Sequence, residues 1–422
     1  MGYNGRMKRK IIKTAIIGGG AAGLFLANRL GLRKGGICLF ERGERLGRKL
    51  SATGNGQGNL TNVYAEKTAY FSATDQTDKK AALIRQYPPQ SLISDMEKLG
   101  LLLTQEERGR VYPAGKQASS ITDALRFSLP RLGVETRLST QIVRLKKKDG
   151  LFVLTAKNGD ETETDYAENV VLCAGGKAAK NFGTDGSAYA LAQGFGHTVT
   201  PLYPSLVQLK TPTNAIKTWK GIRAGKVGVA AKWQENGEDK THALVGDVIF
   251  TDYGVSGDAI FRISAFIADK IADGVTLSID FLPEFSAERL YKALVDKRQN
   301  LPDLPQEELL CGMVNNQIGR AIMRQANGDM QKAVSLLKRF ELPVTGSLGF
   351  DYAQVTKGGV PLNETDERLQ SVFVNGLYFA GEILDVDGEC GGFNLQWAYS
   401  SACAVADAIA TKTEKGAGYV CV

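Results

Sequence analysis

Six residues near the start of the chain have the types and spacing that bind a dinucleotide. Gly18-Gly19-Gly20-Ala21-Ala22-Gly23 follows a short β-branched stretch and precedes apolar residues at helical spacing. In such a motif the first glycine permits a tight turn, the second lets the backbone approach a pyrophosphate, and the third lets the helix pack on the strand. The start of the helix also offers free N–H groups to the phosphates. We therefore predict cofactor contacts at Gly18, Gly20, Ala21, Ala22 and Gly23.

An acidic residue closes the second strand that the sequence predicts. Ile37–Phe40 is apolar, and Glu41 follows it, 21 residues after Gly20. A carboxylate at this point can accept hydrogen bonds from ribose hydroxyls, whereas a basic residue suits a 2′-phosphate. Glu41 and its neighbour Arg42 are predicted to contact the adenosine part, and the acid favours FAD or NAD over NADP.

Two later strand ends favour FAD over NAD. An apolar stretch leads into Ala174-Gly175-Gly176, and a second one leads into Gly381-Glu382. Both resemble strand ends of two-dinucleotide flavoproteins, whereas a simple NAD-dependent dehydrogenase needs no glycine-rich strand end so near the C-terminus. We predict FAD contacts at Ala174, Gly175, Gly381 and Glu382.

The composition excludes several other classes of protein. Glycine accounts for 48 of 422 residues and proline for only 12, which indicates tight turns and close approaches rather than a linker. The net charge of +7 is spread along the chain, so nucleic acid is not an expected partner, and a small-molecule substrate is. With two histidines and six scattered cysteines, we expect no metal site and a cytoplasmic protein. No apolar run approaches the ~18 residues of a membrane span.

The order of sequence patterns predicts an interrupted α/β domain. The N-terminal β-α-β pattern is followed by helical patterns at 79–103 and 119–132, and then by alternating strands with Asp-Gly and Asn-Gly turns. We predict an FAD-binding Rossmann domain from residues 1–196 and 351–422. Residues 197–285 form a β-rich insert, and residues 286–350 a helical one. The last helix is expected at 396–410.

Several longer segments carry a family resemblance. They are Gly47–Asn62, Arg110–Pro113, Thr184–Ser187, Gly246–Gly257, Thr356–Val360 and Gly376–Trp397. On these segments the chain resembles a bacterial flavoprotein family, variously called BaiN-like, YhiN-like or aminoacetone-oxidase-like. The resemblance implies a glutathione-reductase-like FAD domain, an inserted β-barrel, a helical piece and non-covalent FAD. One departure is Gln57-Gly58, which replaces the family's Arg-Cys pair and removes a cation and a thiol.

The resemblance also assigns further cofactor contacts. Lys49, Gly54 and Asn59 should lie along the FAD, and the backbone of Val143 should face the adenine. Residues before and at the start of the last helix should direct N–H groups at the flavin N1/O2 edge, where reduction places negative charge. These residues are Gly392, Phe393, Asn394 and Leu395. Asn394 has an alternative role as a plain helix N-cap.

The reaction expected from the resemblance is hydride transfer through flavin N5. The first hypothesis is NAD(P)H-driven reduction of an activated double bond in a small apolar, steroid-like or bile-acid-like enone. The alternatives are an oxidase of a small amine that releases hydrogen peroxide, and a non-catalytic redox sensor. The sequence has no second G-x-G-x-x-G motif, so we expect NAD(P)H to bind transiently or not at all. The catalytic candidates are Asp385, Asp387 and Tyr253. The alternative for the two aspartates is a solvated acidic loop, and the alternative for Tyr253 is a packed surface tyrosine.

Overall fold

The computed structural model describes residues 11–33, 36–65, 70–74 and 77–417. The chain divides into two compact units. The first unit combines Met1–Leu202 with Val355–Val422, and the second is Tyr203–Gln354. The outer limits of the predicted first domain, at residues 1 and 422, lie outside the described residues.

The two units contain strands and helices that are numbered here in chain order. The strands are β1 (Ile12–Ile17), β2 (Ile37–Phe40), β3 (Thr61–Asn62), β4 (Tyr70–Phe71), β5 (Leu103–Gln105), β6 (Arg110–Pro113), β7 (Glu135–Arg137), β8 (Gln141–Lys148), β9 (Leu151–Asn158), β10 (Glu161–Leu172), β11 (Tyr203–Ser205), β12 (Leu209–Lys210), β13 (Arg223–Glu235), β14 (Glu238–Phe250), β15 (Gly254–Ser256), β16 (Val275–Asp280), β17 (Phe340–Val344), β18 (Gly346–Ser347), β19 (Val355–Lys357), β20 (Leu377–Phe379) and β21 (Asp387–Gly388). The helices are α1 (Ala21–Gly31), α2 (Thr77–Gln86), α3 (Pro89–Lys98), α4 (Ala118–Ser128), α5 (Ser187–Gln193), α6 (Asp258–Ile267), α7 (Ala287–Asn300), α8 (Asn316–Gln325), α9 (Met330–Lys338) and α10 (Phe393–Ala417).

The first unit is built on a seven-stranded sheet. Its hydrogen-bonded order is β7-β2-β1-β10-β9-β8, with β20 pairing β10. The pairs β7–β2, β2–β1, β1–β10 and β10–β20 are parallel, so the carboxyl ends of β1, β2, β10 and β20 meet at one edge. Strand β2 is buried along its whole length, as apolar parallel strands are when both faces of the sheet are covered. This is a Rossmann-type α/β fold, as the sequence predicts.

The second unit is built on an antiparallel sheet. Its order is β17-β16-β13-β14-β15-β12-β18. Strands β13 and β14 form a long hairpin that turns at Asn236-Gly237, where both residues have positive φ. Two positive φ values match the turn to the twist of the strands, which explains why Asn-Gly stands there.

The sequence predicts that the insert divides into a barrel and a helical part. The structure, which describes all of residues 197–350, does not show a separate hydrophobic core for each part. The strand order has two ends, β17 and β18, so the inserted barrel is not confirmed. Apolar residues of α7, α8 and α9 share one core with the sheet, among them Leu294, Ile322 and Leu337 beside Leu277. Amphipathic helices bury their apolar face against a sheet, which makes one layered unit of both patterns. Across the part of the chain that the structure describes, no helix has the length and apolarity to cross a membrane.

Candidate cofactor site

The glycine turn at the end of β1 is held by contacts within the chain. Gly18 has φ of +108°, and a Cβ atom there would lie 2.6 Å from the Ala174 Cα. A Cβ atom at Gly23 would lie 1.9 Å from the Gly18 carbonyl oxygen. Both positions therefore exclude a side chain, because β10 and the turn itself occupy the space.

Gly20 differs from these two glycines because its surroundings are open. Within the described part of the chain, a Cβ atom at Gly20 would meet nothing within 4 Å, and the residue has an unstrained φ of −78° directly before α1. The first N–H groups of a helix have no partner within it, so they are available to a ligand at this opening. Ala22 borders the same turn, since a Cβ atom at Gly381 would lie 2.7 Å from the Ala22 Cβ. The end of β20 thus comes close to the start of α1.

Glu41 fixes the glycine turn to the end of β2. Its Oε2 accepts the Gly19 N–H at 2.8 Å, and its Oε1 accepts the Gly43 N–H at 2.7 Å. The carboxylate therefore lies beside the turn, as its predicted cofactor role requires, and it has a positioning function of its own. Arg42, the next residue, donates to the Asp185 carboxylate at 2.8 Å.

A chain of polar contacts joins three strand ends. The Lys49 ammonium donates to Glu382 Oε2 at 2.7 Å, and Glu382 Oε1 accepts the Thr356 N–H at 2.9 Å. The Thr356 hydroxyl oxygen accepts the N–H groups of Lys177 and Ala178 at 2.8 and 2.9 Å. Sequence reasoning found Lys49 and Glu382 but placed Thr356 only in a family motif. Thr356 thus links the backbone after β10, through its buried hydroxyl, to the glutamate after β20, through its backbone N–H.

Asn59 supplies a buried side-chain oxygen that could bind a ligand. The residue is 9 % exposed, and its Oδ1 has no hydrogen-bond partner among the residues that the structure describes. Gly54 lies against Asn59, since a Cβ atom at Gly54 would be 3.0 Å from the Asn59 backbone nitrogen. Buried side-chain oxygens are almost always hydrogen-bonded in complete structures, so this atom fits a polar ligand group such as one on FAD.

The residues before α10 form a second tight approach. Gly392 has φ of +102°, and a Cβ atom there would lie 2.4 Å from the Thr61 carbonyl carbon. Helix α10 begins at Phe393, with Asn394 and Leu395 in its first turn. The Asn394 side chain accepts the Gly388 N–H at 2.9 Å and donates to the Gly388 oxygen at 2.8 Å. Asn394 therefore fastens the preceding loop from inside the helix and does not occupy the N-cap position.

Val143 lies on the outer strand of the sheet, at a bulge. The β8–β9 ladder passes from Ile142 opposite Ala156 to Arg144 opposite Thr155, so Val143 is left out of it. Its side chain is 46 % exposed. The Thr140 N–H donates to the backbone carbonyl oxygen of Glu41 at 2.9 Å, which brings the start of β8 to the end of β2. A backbone contact to an adenine, as predicted, suits a bulge residue.

The three catalytic candidates do not share one environment. Asp385 and Asp387 have no exposed surface, which rules out the alternative of a solvated acidic loop. Asp385 Oδ2 accepts the Ala73 N–H at 2.9 Å and the Ser72 hydroxyl at 3.2 Å, and burial raises the pKa of this carboxyl. Asp387 pairs with Phe71 in the β21–β4 ladder. Tyr253 lies in the second unit, between β14 and β15, and is partly buried.

The fold and the glycine-lined strand ends define a class of enzyme. A solved structure titled the open conformation of a flavocytochrome c3 fumarate reductase has a TM-score of 0.54 and 14 % identity, and the match covers 95 % of this chain and 78 % of that one. At this identity the likeness concerns the fold alone. Together with the sequence relatives described next, it defines this protein as an FAD-dependent oxidoreductase with a Rossmann-type nucleotide-binding fold.

The family follows from matches that span nearly the whole chain. The model of the HI0933-like protein Rossmann domain matches residues 12–408. The 3-dehydro-bile acid delta(4,6)-reductase of Clostridium scindens is 32 % identical over 92 % of this chain and 97 % of its own length. The ribosomal RNA dihydrouridine synthase of Escherichia coli is 30 % identical over 94 % of this chain and 98 % of its own. The chain belongs to the HI0933-like family, which confirms the resemblance found in its motifs.

Proposed function

We propose that this enzyme uses NAD(P)H to reduce an activated carbon–carbon double bond in a small apolar enone of the steroid or bile-acid type. The observation that carries the proposal is the 32 % identity to a bile-acid delta(4,6)-reductase, which extends over 97 % of that protein. The second relative is named for the formation of dihydrouridine. A 3-keto-4-ene and the uracil ring share a double bond conjugated to a carbonyl, so hydride addition to such a bond is the chemistry common to both names.

The residues of the first unit have separate tasks in this proposal. When bound, FAD would supply hydride transfer through its N5 atom. The turn from Gly18 to Gly23 and the start of α1 would bind the pyrophosphate, and Glu41 holds that turn in shape. Asn59 would offer its buried Oδ1 to the cofactor. The backbone from Gly392 to Leu395, at the start of α10, would favour negative charge on the flavin.

Reduction of the double bond also consumes a proton, and we assign its donation to Asp385. Burial raises the pKa of this carboxyl, which keeps a proton on it at higher pH than an exposed aspartate would. Asp385→Asn should lower the turnover of an enone by roughly 100-fold and leave flavin reduction by NAD(P)H unchanged. If Asp385→Asn turns over normally while Asp387→Asn or Tyr253→Phe does not, the assignment to Asp385 is wrong.

The experiment that tests the reaction is anaerobic stopped-flow of the holoenzyme. We expect NADH or NADPH to bleach the flavin, and a 3-keto-4-ene steroid to restore its colour with formation of the saturated ketone. The matched control is the same 3-ketone without the double bond, which should leave the flavin reduced. Failure of both nucleotides to bleach the flavin would overturn the reductase proposal. Rapid reoxidation by oxygen with peroxide release, after reduction by aminoacetone, would support an amine oxidase instead.

One alternative class of substrate, ribosomal RNA, is also supported by a specific observation. The relative from Escherichia coli bears a name that specifies ribosomal RNA, whereas we propose a small molecule and no nucleic acid. Reduced holoenzyme should therefore react with the steroid enone and not with uridine-containing ribosomal RNA fragments. Formation of dihydrouridine in the RNA would replace the small-molecule proposal while keeping the reaction type. We place this activity in the cytoplasm, which the scattered cysteines of the sequence support.

A further inference from the structure

Two arginines that follow β2 reach a loop that follows β10, with the end of β1 between them. In the sheet, Ile17 at the end of β1 lies opposite Phe40 of β2 on one side and Leu172 of β10 on the other. Adjacent strands are about 4.8 Å apart, so β2 and β10 are separated by nearly 10 Å at this edge. The glycine turn that begins at Gly18 emerges in the gap. A contact from the β2 side to the β10 side therefore passes the end of β1, where the glycine turn begins.

Two polar contacts make this crossing. The Arg42 guanidinium donates to Asp185 Oδ2 at 2.8 Å, and the Arg48 guanidinium donates to the Asn181 carbonyl oxygen at 2.8 Å. Both guanidinium groups flank Gly183, since a Cβ atom there would lie 3.7 Å from Arg48 Nη1 and 3.9 Å from Arg42 Nε. We call these four residues, Arg42, Arg48, Asn181 and Asp185, the clamp.

The loop that the clamp holds has a defined shape of its own. The Gly186 N–H donates to the Gly176 oxygen at 3.0 Å, which closes the loop at its base. Inside it, the Thr184 hydroxyl donates to the Ala179 oxygen at 3.1 Å, and Ala179 and Gly183 have φ of +64° and +97°. The clamp therefore holds the tip of a closed loop against the segment after β2.

The electrostatics of Asp185 favour the closed arrangement at neutral pH. Burial acts to raise the pKa of Asp185, but hydrogen bonds from Arg42 and from the Ser187 N–H outweigh burial and hold the pKa below its usual value. The carboxylate is therefore ionised and paired. The side chains of Arg42 and Asp185 are 29 % and 36 % exposed, so the pair is reachable by salt and is weak enough to open.

We propose that the clamp is a gate for the cofactor, in which Asp185 is a positioning residue that sets how fast FAD enters and leaves. The cofactor enters while the Arg42–Asp185 pair is open, and the pair then closes across the turn from Gly18 to Gly23. The proposal rests on dinucleotide binding by the family and not on the proposed substrate. A gate differs from a binding contact because its loss speeds entry and release together.

The test compares FAD exchange in the wild-type chain and in Asp185→Asn. Release is followed by flavin fluorescence after dilution of the holoenzyme, and entry by adding FAD to the deflavinated full chain. We expect both rate constants to rise about two- to fivefold in Asp185→Asn, with a change in Kd of less than about twofold. In the wild type, added salt should speed release, whereas release from Asp185→Asn should respond less to salt.

The matched control is Asp247→Asn in the second unit. Asp247 likewise accepts from an arginine, Arg223, and from a backbone N–H, that of Lys226. This variant should exchange FAD at wild-type rates. Faster release with unchanged entry would make Asp185 part of the binding contact and overturn the gate. Rates equal to those of Asp247→Asn, or an equal salt response in wild type and Asp185→Asn, would overturn it as well.

Discussion

Two regions of the molecule fill space in opposite ways. The strand ends of the first unit contain glycines, whereas the core of the second unit contains large aromatic side chains. At the end of β1, glycines let two segments approach within distances that no Cβ atom permits, and they leave an opening at Gly20. In the second unit, large rings fill the space. Trp219 has no exposed surface, and its ring centroid lies 4.9 Å from those of Phe250 and Phe340.

This difference separates binding from stability. Close approach of backbone segments creates a cradle for a ligand and contributes little apolar burial, whereas packed rings stabilise the fold and leave no room for a ligand. We therefore expect substitutions at the glycine turn to lower FAD affinity, and substitutions in the aromatic cluster to lower the free energy of unfolding.

Trp219→Ala should have the largest effect on stability. Truncation of a fully buried tryptophan removes apolar contacts and leaves a cavity, so we expect a loss of about 3–5 kcal/mol in the free energy of unfolding of the second unit. The FAD content at low temperature should stay near that of the wild type. Trp233→Ala, at a partly buried position on β13, is the control and should cost less. Loss of FAD from folded Trp219→Ala would break the comparison.

Gly23→Ala and Gly20→Ala test the two kinds of glycine against each other. The new Cβ atom at position 23 would lie 1.9 Å from the Gly18 oxygen, so the turn must shift at a cost of about 1–3 kcal/mol or more, and FAD binding should be lost. The new Cβ atom at position 20 meets nothing within 4 Å. Gly20→Ala should keep the melting temperature of the flavin-free protein and lower FAD affinity at least about tenfold, measured by fluorescence titration. Equal effects of both on stability would contradict the open cradle.

Thr356→Val should weaken the first unit by about 1–3 kcal/mol. The variant keeps the shape of the side chain but leaves the N–H groups of Lys177 and Ala178 without their acceptor in a buried place. Thr356→Ser restores the hydroxyl and is the matched control. Chemical unfolding and FAD titration report the two consequences. If the valine variant matched wild type in both, the hydroxyl would have no role in positioning Glu382.

Asp385→Asn should have the smallest effect on stability, and the size of this effect depends on pH. Burial raises the pKa of Asp385 above its usual value of 3.8, so the folded state is favoured most when the carboxyl is protonated, and this advantage is lost as the pH rises through the folded pKa. The free energy of unfolding of the wild type should therefore fall relative to that of Asp385→Asn as the pH rises from below 3.8 through the folded pKa. Unfolding in urea across this range measures the difference.

The control for this pH series is Asp149→Asn, at an exposed turn between β8 and β9. It controls for the loss of one acidic side chain. A difference between wild type and Asp385→Asn that stays constant with pH would show that the Asp385 carboxyl is not held at a raised pKa.

Prediction from the sequence succeeded where structure depends on near neighbours. The β-α-β start, the turn at Asn236-Gly237 and the last helix all follow from local patterns, because turn geometry and helical spacing are set within a few residues. The helical pattern predicted at 79–103 is also found, as two helices, and the break between them has an equally local reason. The stretch divides into α2 and α3 at Pro88 and Pro89, since proline lacks the N–H group that would continue α2.

The amino-acid sequence by itself determined the class of cofactor and the family, since the glycine motif, the acid after β2 and the longer segments are contiguous in the chain. The tertiary structure decided which side chains complete the site. Lys49 meets Glu382 across 333 positions, and Arg42 meets Asp185 across 143. These partners depend on the order in which β2, β1, β10 and β20 lie side by side. That order results from packing of the whole unit, so no local pattern contains it.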